Sequence, residues 1–244
     1  MNTTDKQTQT NQPDAEVGRR SLLSTAAVAA AGIAAVGLLK PSRSFGVTPA
    51  LTFADIPGTG DIQVLNFALA LEDLEADLYT QANQRFTGGG KNALGIYIPG
   101  LHMGDGTAAV AYTYQFSVVE ARHRDFLRDA LGSAAIPAYK YDFGMQSLSE
   151  EQVLNLLYTA EALGTAAYLG AIPYLSSKTY LQIAGSIQGT EARHTAALAS
   201  IINSMYNEGL LTAPVTKQYG GNNGIEVPIP PNTVLKTVSP YIVV

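Results

Sequence analysis

Apolar residues recur at intervals of three and four along most of the chain, which is the spacing of one buried face on a helix. Over residues 61–84 the positions Leu65, Ala68, Leu71, Leu74 and Leu78 follow it, with Asp61 as the expected N-cap. A loop opening at Gly88-Gly89-Gly90 runs to Gly106. A second periodic segment covers about 107–131, with Tyr112, Phe116, Val119, Phe126 and Leu127 on one face and Gly132 ending it. Residues 133–148 are a connector carrying Pro137 and Gly144. Ser149 followed by Gln152 is a capping-box start, and a third helix is expected from there to about Ile172, before Pro173. A fourth is expected from Ser176 or Ser177 to about Asn207, ending at Gly209. From 212 the chain turns to Pro, Gly and Asn without a helical period, although Val234 to Val244 is apolar enough to dock. Strand signals are nearly absent. The expected architecture is all-α: a four-helix bundle over 51–211 with an irregular, Pro/Gly-rich extension over 212–244.

The first fifty residues have a different pattern. A polar stretch ends in Gly18-Arg19-Arg20, residues 22–39 are all apolar or small, Lys40 and Arg43 follow, and Thr48-Pro49-Ala50 offers small residues for cleavage. A basic region, an apolar core and a small-residue end make a signal peptide. The alternative, a single membrane anchor, is disfavoured because Ala and Gly insert weakly. The paired arginines and mildly hydrophobic core resemble a twin-arginine signal, which implies periplasmic or secreted protein exported already folded.

Composition narrows the chemistry. Charged residues make up 14% of the 244, against about 25% in typical domains, so neither a disordered polyelectrolyte nor a nucleic-acid binder is expected. The first fifty residues hold five Lys/Arg and three Asp/Glu, which leaves ten basic and seventeen acidic residues in the rest. There is no Cys, which excludes disulfides, thiolate metal sites and a Cys nucleophile, so metal chemistry falls to carboxylates and three His.

Several of the few charges lie on apolar faces. At about 100° per residue, Glu120 and His123 fall within the stripe of Phe116 and Leu127, and Glu191 and His194 within that of Ile187 and Leu198. Glu161 shares a face with Leu154, Leu157 and Tyr168; Glu72 and Glu75 share one with Leu65, Ala68 and Tyr79. No Lys or Arg occupies these inward positions, and Arg122 and Arg193 fall on the outer side. Facing carboxylates in a low-dielectric core repel unless a positive charge lies between them, and divalent metal is the simplest source.

The chain also repeats itself. Glu-Ala-Arg-His occurs at 120–123 and 191–194, and Glu precedes Tyr by seven residues at 72/79 and 161/168. In this order of Glu, ExxH, Glu, ExxH the sequence resembles the ferritin-like di-metal carboxylate superfamily. Within it, LNFALALEDLEADLY resembles the secreted ferritin-like group that includes desiccation-related proteins. The resemblance covers about 61–208. It implies two iron or manganese ions, with Glu120 and Glu191 bridging them or bound terminally, His123 and His194 each capping one, and Glu72 and Glu161 completing the set. Glu75 is extra, and either substitutes for Glu72 or stands beside the ligands. Tyr79 and Tyr168 are the catalytic candidates, either hydrogen-bonded to ligand carboxylates or carrying a radical. Carboxylate and imidazole donors suit iron or manganese. The implied function is an exported stress-protective oxidoreductase acting on O2, peroxide or Fe(II), of the ferroxidase or manganese-catalase kind. Its alternative is a non-catalytic stress protein whose metals hold the bundle together. Expected partners are metal ions and small oxidants, with no nucleic acid and no membrane span after cleavage; a homo-oligomer is compatible. His102, in a Gly-rich loop, is expected to face solvent, and Gly88–Gly90 lacks the Lys-Ser/Thr of a phosphate loop.

Overall fold

The computed structural model describes residues 51–210 and 224–243. The expected signal segment and the first part of the tail lie outside these residues. Four long helices dominate: α1 (Asp61–Phe86), α2 (Ala108–Leu131), α3 (Glu150–Ala171) and α4 (Lys178–Tyr206). Three of the four begin or end on residues with a local reason to do so. Thr107 Oγ1 accepts from Val110 N at 3.3 Å, Ser149 and Gln152 close a reciprocal capping box, and Ser177 Oγ accepts from Tyr180 N at 3.4 Å. Gly132 and Asn207 take positive φ, 53° and 57°, where α2 and α4 stop.

Asp61 departs from its expected role. Gly60 occupies the N-cap of α1, and the Asp61 carboxylate instead accepts from the backbone N–H groups of Ser176 and Ser177, at 2.7 and 3.0 Å. It ties the start of α1 to the turn between α3 and α4, a partner 115 residues away that local spacing cannot reveal.

The connections set the topology. After α1 the chain makes a short antiparallel ribbon, β1 (Gly90–Lys91) with β2 (Tyr97–Ile98), and returns to the end of α1, where Leu101 N donates to Arg85 O and Met103 N to Phe86 O. The α2 helix therefore runs back along α1. Arg85 Nε also donates to Leu148 O just before α3, so residues 132–149 must travel the length of the bundle. Helix α1 packs chiefly on α2 and α3 chiefly on α4, with α1 against α3 joining the two pairs. Two antiparallel pairs linked by one long crossover is a ferritin-like bundle. Among the described residues, no helix is long and apolar enough to cross a membrane.

Two details of the expected faces are corrected. Tyr112 and Phe126 are 44% exposed, while Leu127 is buried. The stripe on α2 is narrower than the sequence suggests, because α2 touches α4 far less than it touches α1. The second concerns the extension, which was expected to be irregular. It contains a helix, α5 (Pro231–Val238), and a strand, β4 (Ile242–Val243), paired antiparallel with β3 (Lys140–Tyr141) of the crossover. Eight residues are too few to display a period, yet Val234, Leu235 and Val238 are buried once α5 has a surface to lie on.

The extension meets α3 at Gly170. Ile229 N donates to Ala166 O at 3.0 Å, and a Cβ on Gly170 would stand 1.9 Å from Ile229 O. In an open helix, Gly→Ala gains up to about 1 kcal/mol; at position 170 it should instead cost about 1–3 kcal/mol, because the extension must lift away. Gly185→Ala on α4, where a Cβ meets nothing within 4 Å, is the control expected to stabilise. Thermal unfolding of the two variants checks the opposite signs.

Candidate metal centre

One level of the bundle collects the polar side chains of all four helices. Helix α1 supplies Glu72 and Glu75, α2 Glu120 and His123, α3 Glu161, and α4 Glu191 and His194. Glu72, Glu120, Glu161 and Glu191 have no solvent exposure, and Glu75 has 3%. His123 Nδ1 lies 3.0 Å from Glu120, 3.2 Å from Glu191 and 3.4 Å from Glu72. His194 Nδ1 lies 2.7 Å from Glu120 Oε1 and 3.2 Å from Glu161 Oε1. Six of the seven side chains expected as ligands thus converge, and Glu75 stands beside them, next to Glu191 over Gly164. Arg122, Arg193 and His102 are exposed and away from them.

Two groups of four donors lie close enough to hold a cation each. The first is Glu72, Glu120, His123 and Glu191; the second is Glu120, Glu161, Glu191 and His194. Glu120 and Glu191 belong to both. Glu75 belongs to neither.

The tyrosines cross between repeats. Tyr79 of α1 donates to Glu161 of α3, and Tyr168 of α3 donates to Glu72 of α1 at 2.5 Å. Each repeat therefore holds the other's carboxylate by one oxygen, Oε1. The opposite oxygens, Glu72 Oε2 and Glu161 Oε2, are buried without a hydrogen-bond partner among the described residues. So are Glu75 Oε2, Glu120 Oε1, both oxygens of Glu191 and His194 Nδ1. Several of these pairs approach closely without hydrogen-bond direction, which is how ligands converge on a shared cation. Unpartnered buried polar atoms are rare in folded proteins, and their concentration here fits a bound metal.

Residues beyond the ligand pattern shape the site. The Phe116 ring stacks on the His194 ring at 3.8 Å between centroids. The His194 side chain is 6% exposed, whereas His123 is 14% exposed and faces the solvent side. A Cβ on Gly164 would lie 3.0 Å from Glu75 Oε1 and 3.1 Å from Glu191 Oε2. Gly164 follows Glu161 by three residues, as Glu75 follows Glu72, so the extra carboxylate of one repeat stands where the other leaves room. The repeat offset contained this signal, but the need for a glycine appears only when α1 and α3 face each other. The Asp73–Arg128 ion pair at the edge of the bundle is a further contact that the spacing did not suggest.

A match to the family model for the ferritin-like domain covers residues 60–204, more than half of the chain. The chain belongs to the ferritin-like domain family. No curated protein matches it at a significant level. The clustered Glu and His side chains of this ferritin-like domain are its candidate metal-binding site.

The electrostatics follow from burial. Burial, then the negative charges of Glu191 and Glu120, push Glu72 up to about 8 against the opposing pull of the nearby His123 imidazole. Burial first and neighbouring carboxylates second push Glu75, Glu161 and Glu191 well above the usual range. Burial pulls His123 down, but its contacts with Glu120, Glu191 and Glu72 outweigh that and hold it at about 12. For Glu120 the two imidazoles outweigh burial, and its carboxyl is lowered.

These directions fix the pH dependence of the metal-free protein. An acid with a raised pKa in the folded state favours folding in its protonated form, so its contribution is best below the unfolded value of 4.5 and is lost as pH rises towards 8 for Glu72. His123 acts in the same sense, contributing fully below 6.5 and less as pH climbs towards 12. Glu120, being lowered, has its full contribution above 4.5. Urea unfolding of metal-stripped protein should give a midpoint that falls from about pH 5 to pH 8. With metal the slope should reverse, because binding displaces protons. A stripped protein that gains stability over this range contradicts the repulsion.

Proposed function

We propose that this protein is an exported di-iron or di-manganese oxidoreductase of the ferroxidase or manganese-catalase kind, acting on O2, peroxide or Fe(II) in stress protection. The observation that carries the reading is the pair of overlapping four-donor groups sharing Glu120 and Glu191. In this reading Glu120 and Glu191 serve both ions, Glu72 and His123 complete one position, and Glu161 and His194 complete the other. Four protein donors per ion leave coordination positions open on iron or manganese, as chemistry at a metal requires. Two such ions, when bound, would supply a two-electron exchange with O2 or peroxide.

The chain's own residues prepare that chemistry. Tyr168 and Tyr79 hold Oε1 of Glu72 and of Glu161, leaving each Oε2 free for the metal and fixing the carboxylate rotamers. Both phenols are pushed well above their ordinary pKa, by burial first and the adjacent carboxylates second, so they remain donors at neutral pH. Phe116 shields His194 from water, and the partial exposure of His123 marks the side from which polar species approach. Glu75 stands beside the ligands as a reserve carboxylate. Export by the twin-arginine route and a place among the desiccation-related proteins rest on the sequence pattern of residues 1–50 and 65–79.

Elemental analysis of purified protein should find about two iron or manganese ions per chain. His123→Ala and His194→Ala should each lower this to about one, and Glu120→Ala, which touches both groups, should remove nearly all binding. Wild-type protein without metal after attempted reconstitution overturns the reading. Full metal content with no Fe(II) oxidation and no peroxide breakdown favours the alternative, in which the complete burial of the carboxylates serves a structural site.

A further inference from the structure

A cavity of about 30 Å³ lies between α1, α3 and the C-terminal segment. Its walls are Leu71, Leu74, Leu78, Leu156 and Leu163, closed by Val238 of α5. The inner end is Glu75, whose Oε2 is buried without a hydrogen-bond partner and whose Oε1 shares the space over Gly164 with Glu191. The outer end is marked by Ala160 and Thr237, which are half-buried. The cavity thus runs from the surface to the edge of the carboxylate cluster.

Its contents follow from its lining. A buried water needs about two to four polar partners. Thr159 and Thr237 donate their hydroxyl protons to the helix carbonyls of Asn155 and Thr233, at 2.7 and 2.9 Å, so they offer a guest only acceptor oxygens, as Glu75 Oε2 does, and most of the remaining lining is aliphatic. The space is large enough for one small molecule, since about 10–15 Å³ suffices for a water, and its walls favour an apolar occupant. A second apolar cavity of about 20 Å³, lined by Leu65, Leu127, Ile183 and Ile187, has no carboxylate on its wall.

We infer that the cavity beside Glu75 is a docking site for a small apolar gas, dioxygen, and its route from the surface to the carboxylate centre. The inference rests on the di-metal reading and deepens it by assigning the oxidant its own apolar path, separate from the His123 side that polar species use. The C-terminal helix, through Val238 and Thr237, forms one wall of that path.

Xenon, an apolar atom that occupies dry cavities, is the probe. Crystals of the full chain under xenon pressure should show a xenon atom among Leu74, Leu163 and Val238 next to Glu75, with or without metal. Ala160→Leu adds three carbons at the half-buried mouth and should remove it. In metal-loaded protein the same variant should raise the apparent KM for O2 in Fe(II) oxidation several-fold, with metal content and the rate with peroxide unchanged. Ile183→Phe, in the second cavity, should leave the O2 dependence as in wild type. Ordered water in place of xenon in the wild-type cavity overturns the inference whatever the variants do. So does an unchanged O2 dependence in a xenon-free Ala160→Leu protein, or an equal rise in Ile183→Phe. Wild-type protein that binds no metal overturns the di-metal reading and the oxidant route with it; metal bound without xenon overturns the cavity alone.

Discussion

Five buried carboxylates facing one another are the constraint that organises this molecule. An isolated buried carboxylate costs several kcal/mol even after relaxation, and here Glu72, Glu75, Glu120, Glu161 and Glu191 share one level of the bundle. Two imidazoles and two phenols offset part of that cost, and the unpartnered oxygens mark the part they leave. A cluster of this kind persists only if the backbone around it is over-determined. The capping box at Ser149, the caps at Thr107 and Ser177, and the Asp61 contact with the α3–α4 turn fix the helices in register. Local capping chemistry and the geometry of the centre are therefore parts of one arrangement.

The two-helix repeat gives the centre its approximate symmetry, and the departures from symmetry give it direction. Crossed Tyr–Glu hydrogen bonds join the two halves, so neither repeat can hold its own carboxylate without the other. The halves then diverge. Phe116 covers His194, while His123 lies nearer to solvent. Glu75 fills the place opposite Gly164, which puts an additional acid on one side of the centre only. Carboxylates and imidazoles of near-symmetric placement thus have asymmetric surroundings.

The C-terminal segment belongs to the bundle as much as the four helices do. It crosses α3 at Gly170, buries the apolar side of α5, and pairs β4 with β3 of the long crossover. Leu51 N donates to Ser239 Oγ and Phe53 N to Asn232 Oδ1, so the start of the described chain is fastened to the same segment. These contacts lie on the α1–α3 side, behind Glu75, where Thr237 and Val238 form one wall of the cavity beside that carboxylate.

The sequence by itself determined the four helices to within a few residues, most of their inward faces, and the carboxylates and imidazoles at their centre. Helical period and capping are local, and a carboxylate or imidazole on an apolar stripe is conspicuous in a chain with so few charges. The duplicated Glu-Ala-Arg-His and the Glu–Tyr offset further named the side chains that meet. Only the tertiary structure decided how they meet: that Glu120 and Glu191 stand between both groups, that each tyrosine serves the opposite repeat, and that Glu75 stays outside both groups, over Gly164. It also moved Asp61 from a cap to a tether, exposed Tyr112 and Phe126, and made a helix of residues 231–238. Each of these depends on a neighbour dozens of residues away, and a periodicity measured along one helix contains no information about which other helix lies against it.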